Sequence, residues 1–415
     1  MSMNGNSRDT VYIARQPIFH PSGRVFGYEL LYRAEADDAE CTAGGDMAGA
    51  RVLTDTVLNL GLDVLTDGHT AFLNLTRRLL LDGAASLLPR ESTVFELLEN
   101  IEIDTPVIDA CRVAFAKGYS VALDDFVIGS EAEALLPYVK FIKVDVLATP
   151  AAARGEIARR FLPMGLRLIA KKVETADVAA KVSAEGYELV QGHFYCKPTT
   201  FDAPALPSRR LVYLNLLCAL NGEHVTIDSL EDLIKHDASL SYRVLRSVNS
   251  AAFALSQEIR SIRQAIVLLG LQRIRQWASV WSMAELNSGG TSETVAMATL
   301  RGRCCELLGD RLCGASGSEF FMLGLCSLLD AMLGRPMATA IADLPLSAPI
   351  RAALLGQSNL ERSVLDAVVA YEHGDWDGAL EAARRAGISS SHLPDAYAES
   401  LQWARELARV PAVAA

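Results

Sequence analysis

Short apolar segments rich in β-branched and aromatic residues alternate with helical patterns through the first half of the chain. The segments predict strands at Tyr12–Pro17, Val25–Arg33, Thr70–Leu75, Thr93–Leu97, Ser120–Phe126, Phe141–Val146, Arg167–Val173 and Leu189–Phe194. Apolar residues at helical spacing between them predict helices at Thr76–Leu88, Thr105–Gly118, Glu131–Tyr138 and Ala176–Gly186. This alternation is typical of an α/β fold, and eight strands within about 200 residues favour a (β/α)8 barrel over a doubly wound open sheet.

The second half has a different pattern. Helical patterns follow one another between residues 209 and 409, with no alternating apolar segment that predicts a strand. Three prolines between Lys197 and Pro207 predict a linker, because proline restricts both itself and the residue before it. We therefore predict two domains, an α/β barrel over residues 1–205 and an all-α domain over residues 206–415.

Composition and charge narrow the functional classes. The 415 residues include 39 Lys and Arg against 50 Asp and Glu, and this net charge of −11 argues against a nucleic-acid partner. The eight cysteines lack Cys-x-x-Cys spacing, which favours reduced thiols over disulfides or zinc sites. The sequence contains neither an apolar run of about 18 residues nor an apolar signal-peptide segment, so we expect a cytoplasmic protein without membrane association.

Acidic side chains recur at the ends of the predicted strands. Strands disfavour Asp and Glu, so acidic residues at several strand ends indicate a role beyond strand formation. The carboxylates are Glu29, Glu96, Asp124, Asp125, Asp145 and Glu174, and they are accompanied by Asn74, Gln191 and Lys143. In a (β/α) barrel the carboxyl ends of the strands meet on the face where active sites are built.

Converging carboxylates repel one another unless a cation or a proton intervenes. Oxygen ligands of this kind suit Mg²⁺, Mn²⁺ or Ca²⁺, and two such ions could activate water for attack on a phosphodiester. Asp124 and Asp125 are adjacent, so only a bend at the strand end could present both to metals, and Lys143 could hold the attacking water. The alternative is that the carboxylates cap the helices that follow the strands.

Seven blocks in the first half resemble EAL domains, the cyclic di-GMP phosphodiesterase family. The family's Glu-Ala-Leu motif corresponds to Glu29-Leu30-Leu31. The blocks are Gln16-Pro17-Ile18 with Glu29–Arg33, Phe72–Asn74, Glu96–Glu99, Leu123–Phe126, Ile142–Asp145, Ala170–Thr175 and Gln191-Gly192. The resemblance implies an EAL-type barrel in which one strand runs against the others.

The resemblance also implies roles for individual residues. It assigns the first metal to Glu29, Asn74, Glu96 and Asp124, and the second to Asp125. It makes Lys143, Glu29, Gln191 and Glu174 the catalytic residues, with Lys143 positioning the water. It gives nucleotide contacts to Gln16 and Arg33, and a planar guanidinium suits phosphate oxygens. Mg²⁺ or Mn²⁺ would be the cofactor and cyclic di-GMP the ligand.

Two departures from the EAL pattern bear on activity. Where the family has Ala-Glu-Gly-Val-Glu, this chain has Ala170-Lys171-Lys172-Val173-Glu174, so Lys171 replaces a glutamate of the expected metal site. The loop after Asp125 also lacks the family's Gly- and Ser-rich pattern. We therefore predict a degenerate EAL domain with weak or no hydrolysis, in which Mg²⁺ or Mn²⁺ could bind at the barrel mouth or could be absent because of Lys171. An active Mg²⁺- or Mn²⁺-dependent phosphodiesterase and a scaffold that binds no nucleotide are the alternatives.

The all-α half resembles an HDOD domain, a relative of the HD phosphohydrolases, at Ser261–Gly270 and Gly324–Asp330. Metal-dependent HD enzymes need a His-Asp dyad, but no histidine lies between Leu325 and Leu333, and we expect His236-Asp237 to cap a helix. The resemblance thus implies a bacterial EAL–HDOD signalling protein whose HDOD domain binds an unidentified signalling protein or a second copy of the chain.

Overall fold

The structure is a computed structural model, and it describes residues 11–34, 61–83, 88–192, 208–221, 225–249, 258–287, 291–312 and 317–408. The chain divides into two compact units. The first has the bounds Met1–Lys197, Val369–Leu380 and Leu393–Asp395, and the second has the bounds Pro198–Val368, Glu381–His392 and Ala396–Ala415. The predicted linker around 198–207 lies outside the described residues.

Eight strands of the first unit close into a barrel in chain order. They are β1 Val11–Phe19, β2 Val25–Ala34, β3 Thr70–Leu75, β4 Thr93–Leu97, β5 Ser120–Leu123, β6 Phe141–Asp145, β7 Arg167–Lys171 and β8 Leu189–Gln191. Strand β1 is antiparallel to both β2 and β8, whereas the remaining pairs are parallel. The closed sheet confirms the predicted barrel over the doubly wound alternative, and the single reversed strand is also confirmed.

Helices connect the parallel strands on the outside of the sheet. They are α1 Leu62–Thr66, α2 Arg77–Leu81, α3 Thr105–Ala116, α4 Ala151–Phe161 and α5 Ala176–Ala184. Glu131–Tyr138, predicted as an α-helix, forms a 3-10 helix. Side-chain caps mark the start of α2, α3 and α5: at α3, for example, the Asp104 carboxylate accepts a hydrogen bond from the amide of Val107.

The lower part of the barrel interior is apolar. One buried residue comes from every strand except β2, which contributes the partly buried Phe26 to the same cluster. The cluster consists of Ile18, Phe72, Val94, Ala122, Phe141, Ile169 and Leu189. These side chains fill the barrel below the carboxyl ends of the parallel strands.

Strands β5 and β7 are shorter than the sequence predicts. The expected ends were Phe126 and Val173, but β5 stops at Leu123 and β7 at Lys171. Asp125 and Lys172, just beyond these ends, have φ angles of 43° and 58°. Residues in this left-handed region cannot continue an extended strand, so the chain turns at the barrel mouth.

The second unit and the chain's last helices are all-α in the described residues. The helices are α6 Ser208–Leu220, α7 Ile227–Lys235, α8 Ala238–Val248, α9 Ile262–Leu269, α10 Leu271–Leu286, α11 Ser292–Gly309, α12 Gly317–Cys326, α13 Leu329–Leu333, α14 Met337–Ala340, α15 Ala348–Leu354, α16 Leu360–Glu372, α17 Trp376–Ala386 and α18 His392–Ala408. The pattern over 261–287 predicts one helix, but Gly270 with φ 88° separates α9 from α10. None of the described helices combines the length and the apolar character needed to cross a membrane.

Candidate active site at the barrel mouth

A polar layer lies directly above the apolar cluster of the barrel. Strand side chains alternate between faces, so a residue two positions beyond a core residue also points into the barrel. Counting two positions on from the core residues of β3 to β8 gives Asn74, Glu96, Asp124, Lys143, Lys171 and Gln191. The period of the strands therefore brings Lys171 to the same face as the predicted catalytic and metal-binding residues.

Lys143 is the centre of this layer. Its side chain is completely buried, and its ammonium group donates hydrogen bonds to Glu29 Oε2, at 2.7 Å, and to Glu96 Oε1. The Asn74 amide donates to the other oxygen of Glu29 at 3.0 Å. Two strands, β2 and β4, thus supply carboxylate oxygens to one buried cation on β6, and Asn74 on β3 holds the Glu29 carboxylate in place.

Gln191 joins the layer to the reversed strand β1. Its amide nitrogen lies 2.7 Å from Glu29 Oε2 and 3.1 Å from Gln16 Oε1. Gln16 pairs with Glu29 in the register between β1 and β2, so the antiparallel strand holds Gln16 beside the site. Six of the predicted site residues consequently form one hydrogen-bonded network: Gln16, Glu29, Asn74, Glu96, Lys143 and Gln191.

The two carboxylates beside Lys143 differ in protonation. Burial disfavours the ionised form of Glu29, but the Lys143 charge and hydrogen bonds from Gln191, Lys143 and Asn74 outweigh burial and lower its pKa to about 2. Burial and the negative charge of Glu29 act against ionisation of Glu96 and raise its pKa to about 8. Although burial opposes the charge of Lys143, the surrounding carboxylates raise its pKa above the ordinary value. The network therefore favours the ionised form of Glu29 and the ammonium form of Lys143, and disfavours the ionised form of Glu96.

Lys171 forms ion pairs with two more of the predicted carboxylates, Asp124 and Asp125. Its ammonium nitrogen lies 2.5 Å from Asp124 Oδ1 and 3.1 Å from Asp125 Oδ1. The left-handed backbone at Asp125 supplies the bend that lets two adjacent aspartates face one cation. Burial and the charge of Lys143 disfavour the ammonium form of Lys171, but the two aspartates outweigh both and raise its pKa.

The layer offers oxygen atoms to a divalent cation beside Glu29 but not at the two aspartates. Asn74 Oδ1, Glu96 Oε2 and Gln191 Oε1 are buried and accept no hydrogen bond, so oxygen ligands are available beside Glu29. Asp124, assigned by the resemblance to the first metal, and Asp125, assigned to the second, already pair with Lys171. Within the described residues, no group of three or more His, Cys, Asp or Glu side chains is arranged to hold a metal ion.

Two predicted site residues lie apart from this network. Glu174 is exposed in the loop between β7 and α5. Arg33, at the end of β2, forms an ion pair with Asp377 at 2.9 Å. Arg33 lies four positions beyond Glu29 along the strand, which corresponds to about 13 Å.

Sequence reasoning missed further contacts at the mouth. Lys172 Nζ lies 2.5 Å from the carboxylate of Asp145, and this hydrogen bond raises the pKa of Lys172. The Tyr32 hydroxyl donates to the backbone carbonyl of Asn74 at 2.5 Å. The alternation of side chains along β7 could have predicted that Lys171 faces the barrel interior. No local sequence pattern predicts the contacts of Lys172 and Tyr32 or the ion pair between Arg33 and Asp377.

Comparison with known proteins identifies the family. Residues 206–332 match the HDOD domain family, which confirms the predicted HDOD domain. The chain is 32% identical over 405 residues to the uncharacterized protein YuxH of Bacillus subtilis, and the match covers 96% of this chain and 98% of YuxH. The chain belongs to the YuxH family.

Other relatives of this YuxH-family member have names that mention cyclic di-GMP. It is 29% identical over 409 residues to the cyclic di-GMP phosphodiesterase CdgJ of Vibrio cholerae, covering 97% of this chain and 94% of CdgJ. It is also 32% identical over 130 residues to the cyclic di-GMP phosphodiesterase NbdA of Pseudomonas aeruginosa, covering 29% of this chain and 16% of NbdA. The similarity to CdgJ extends through both halves of the chain.

Solved EAL structures resemble part of the chain. The calcium and cyclic di-GMP complex of Klebsiella pneumoniae BlrP1 is 22% identical, covers 48% of this chain and 58% of BlrP1, and has a TM-score of 0.36. The MucR phosphodiesterase complex with cyclic di-GMP is 20% identical, covers 45% of this chain and 95% of MucR, and has a TM-score of 0.39. Each of these likenesses covers less than half of this chain.

The His236-Asp237 pair caps a helix, as expected. The Asp237 carboxylate accepts a hydrogen bond of 2.9 Å from the amide of Leu240 at the start of α8. Asp330, at the position expected for the HD motif, follows Leu329, and burial raises its pKa. At the first place the aspartate of the His-Asp pair is engaged in capping, and at the second place no histidine precedes the aspartate.

The raised pKa of Glu96 predicts a stability that depends on pH. The folded protein keeps the Glu96 proton up to about pH 8, whereas unfolding returns the pKa to its ordinary value of 4.5. The unfolded chain binds fewer protons in this interval, so the free energy of unfolding should fall by up to about 1.4 kcal/mol per unit as pH rises. Glu96→Gln should flatten this decline, measured by urea denaturation at pH 5, 6.5 and 8.

An exposed glutamate provides the control for this experiment. Glu99 lies in the loop after β4, and Glu99→Gln changes the same functional group outside the buried network. Its unfolding profile should follow that of the unmodified protein. Equal slopes for Glu96→Gln and Glu99→Gln between pH 5 and 8 would contradict the assigned protonation of Glu96.

Proposed function

We propose that this protein is a bacterial cyclic di-GMP receptor with a degenerate EAL domain. In this proposal the barrel binds the nucleotide with little or no hydrolysis, and the HDOD domain transmits the signal by contact with a protein partner. The proposal rests on Lys171, whose ammonium group pairs with both Asp124 and Asp125. Its ammonium group supplies positive charge where a second divalent cation would have to bind.

Electrostatics explains why a second cation would bind poorly. Two unit charges of the same sign 4 Å apart repel by about 4 kcal/mol at an effective dielectric constant of 20, and a divalent ion doubles this repulsion. Lys171 would have to leave two carboxylates for the ion to enter. A two-metal phosphodiesterase uses both ions to stabilise the attacking and leaving oxygens, so the loss of one position should remove most of the rate.

The remaining residues still suit nucleotide binding and one cation. Glu29, Asn74 and Glu96 would hold a single Mg²⁺ or Mn²⁺ ion, which when bound would polarise a phosphate oxygen. Lys143 would neutralise the carboxylates or orient water. Gln16 and Gln191 would orient polar groups of the ligand, and Arg33 would contact phosphate. Glu174, exposed in its loop, would act only after moving toward the ligand.

The second candidate is an active Mg²⁺- or Mn²⁺-dependent phosphodiesterase. The preserved network of Glu29, Asn74, Glu96 and Lys143 favours it, because these residues supply a first cation site and a buried ammonium group. In this case the four-carbon side chain of Lys171 would swing away from Asp124 when a second ion enters.

A binding measurement combined with a hydrolysis assay separates the candidates. We expect calorimetry to show that the full chain binds cyclic di-GMP in EDTA, while chromatography shows no linear product with Mg²⁺ or Mn²⁺. Turnover near 1 s⁻¹, within the ordinary range of enzymes, would support the active phosphodiesterase instead. If neither binding nor turnover is measurable, the barrel is a scaffold and the receptor proposal is wrong.

In this proposal the HDOD domain transmits the signal. Its partner is an unidentified signalling protein or a second copy of the chain. The domain boundary proposed from the sequence lies at residues 205 and 206. We also propose a cytoplasmic location, where a cyclic dinucleotide signal would reach the barrel.

A further inference from the structure

Residues 369–380 lie far along the chain from the barrel strands but belong to the barrel's compact unit. This α16–α17 turn runs from the end of α16 into the start of α17. The Tyr371 hydroxyl, almost fully buried, accepts a hydrogen bond of 3.1 Å from the backbone amide of Ile13 in β1. Tyr12 packs its ring 6.2 Å from that of Tyr371 and 5.9 Å from that of Trp376.

The pairing of β1 explains why the turn is needed there. Among the described residues β1 pairs with β8 only at Ile18 and Phe19, whereas its pairing with β2 extends back to Val11. The amide of Ile13 therefore obtains its acceptor from Tyr371 instead of from β8. A buried amide without an acceptor is costly, so this bond and the aromatic contacts anchor the turn to the barrel.

The turn also approaches β2 closely. Gly374 has a φ angle of 71°, and a Cβ atom added to it would lie 2.6 Å from Leu31 Cδ1. Glycine avoids both the backbone strain and this clash. The next residues of the turn consequently lie beside the end of β2, where Arg33 is placed.

Asp377 pairs with Arg33 across this contact. The carboxylate and guanidinium groups are 2.9 Å apart, with 86% of the Asp377 side chain exposed but only 22% of the Arg33 side chain. A carboxylate and a phosphate engage a guanidinium through the same N–H donors. A nucleotide phosphate that binds Arg33 must therefore displace Asp377 or share the N–H donors of Arg33 with it.

We propose that Asp377 sets the affinity of the barrel for cyclic di-GMP by occupying Arg33 as an internal substitute for phosphate. The inference rests on the proposed function, since it concerns the nucleotide contact of Arg33. Asp377 is exposed, so its side chain can rotate away while Tyr371 and Trp376 keep the turn in place. The nucleotide then competes with one carboxylate rather than with the whole turn.

Neighbouring Asp375 offers a matched control. Its carboxylate accepts a hydrogen bond of 2.9 Å from the amide of Gly378 and so caps α17. Asparagine caps helices about as well as aspartate, so Asp375→Asn removes the same charge from the same turn without altering the ion pair of Arg33. Any general effect of lowering the negative charge should appear in both variants.

The test is calorimetric titration of the full chain with cyclic di-GMP in EDTA at low ionic strength. Asp377→Asn should bind about three to five times more tightly than the unmodified chain, which corresponds to the strength of an exposed ion pair. Asp375→Asn should bind like the unmodified chain. The gain should shrink in 0.5 M salt, because salt screens exposed charges.

Arg33→Met tests whether the effect of Asp377→Asn depends on Arg33. It should weaken binding, and adding Asp377→Asn to it should change nothing further, because the competing pair is already gone. Equal affinities of Asp377→Asn and the unmodified chain would overturn the inference and leave the receptor proposal intact. An equal gain from Asp375→Asn would also overturn it, in favour of a general charge effect. Failure of all variants to bind would overturn the receptor proposal and this inference together.

Discussion

Lys171→Glu is expected to give the barrel a divalent-cation site that the unmodified chain lacks. The change removes the cation between Asp124 and Asp125 and adds a third carboxylate beside them. Mn²⁺ at about 100 times its dissociation constant would stabilise the fold by about 2.7 kcal/mol, raising the melting temperature by roughly 5 °C or more. Thermal melts with increasing Mn²⁺ should show a clearly larger rise in the variant than in the unmodified chain, in which only the ligands beside Glu29 are proposed to hold an ion.

The neighbouring Lys172 provides the control for charge. Lys172→Glu makes the same change of charge, but its side chain is more exposed and pairs with Asp145 instead. It should gain no comparable stabilisation by Mn²⁺. If both variants respond to Mn²⁺ alike, then Lys171 is not what limits metal binding.

Hydrolysis should follow metal binding in the Lys171→Glu variant. With the second position restored, we expect turnover of cyclic di-GMP to rise at least tenfold, measured as linear product with Mn²⁺. A variant that binds Mn²⁺ without gaining turnover would show that the altered loop after Asp125 also limits catalysis.

Lys143→Met is expected to be the most destabilising single change in the site. It would leave Glu29, whose pKa lies at about 2 in the intact network, buried without its cation. Removal of one partner from a buried ion pair typically costs about 3–5 kcal/mol. Urea denaturation at pH 7 should show this loss, and Lys172→Met, which removes a partly exposed lysine, should cost less than about 1 kcal/mol.

A double variant tests the reason for this loss. Adding Glu29→Gln to Lys143→Met removes the uncompensated charge, and burial, the largest cause of the raised pKa of Glu96, still disfavours ionisation of Glu96 in the double variant. Replacement of a whole buried pair is often close to neutral, so most of the lost stability should return. If the two losses simply add, the damage comes from packing and not from an unpaired charge.

The sequence by itself determined the architecture and most of the site. Strands β3 and β4 have the predicted bounds, because their apolar runs lie between clear turn signals. The alternation of side chains along strands then places Asn74, Glu96 and Lys143 on the inner face above the apolar cluster. Such local periodicities need no knowledge of distant contacts, so they can be read from one chain.

Only the tertiary structure decided how the charges are paired. The left-handed turns at Asp125 and Lys172 end two strands early, and nothing in the local apolar pattern predicts them. In the structure Lys171 forms ion pairs with Asp124 and Asp125. Arg33 pairs with Asp377, a residue 344 positions away in the sequence. Pairing between charges depends on distance in space, and in a closed barrel that distance follows from strand register and from the path of the distant helices, not from the neighbouring sequence.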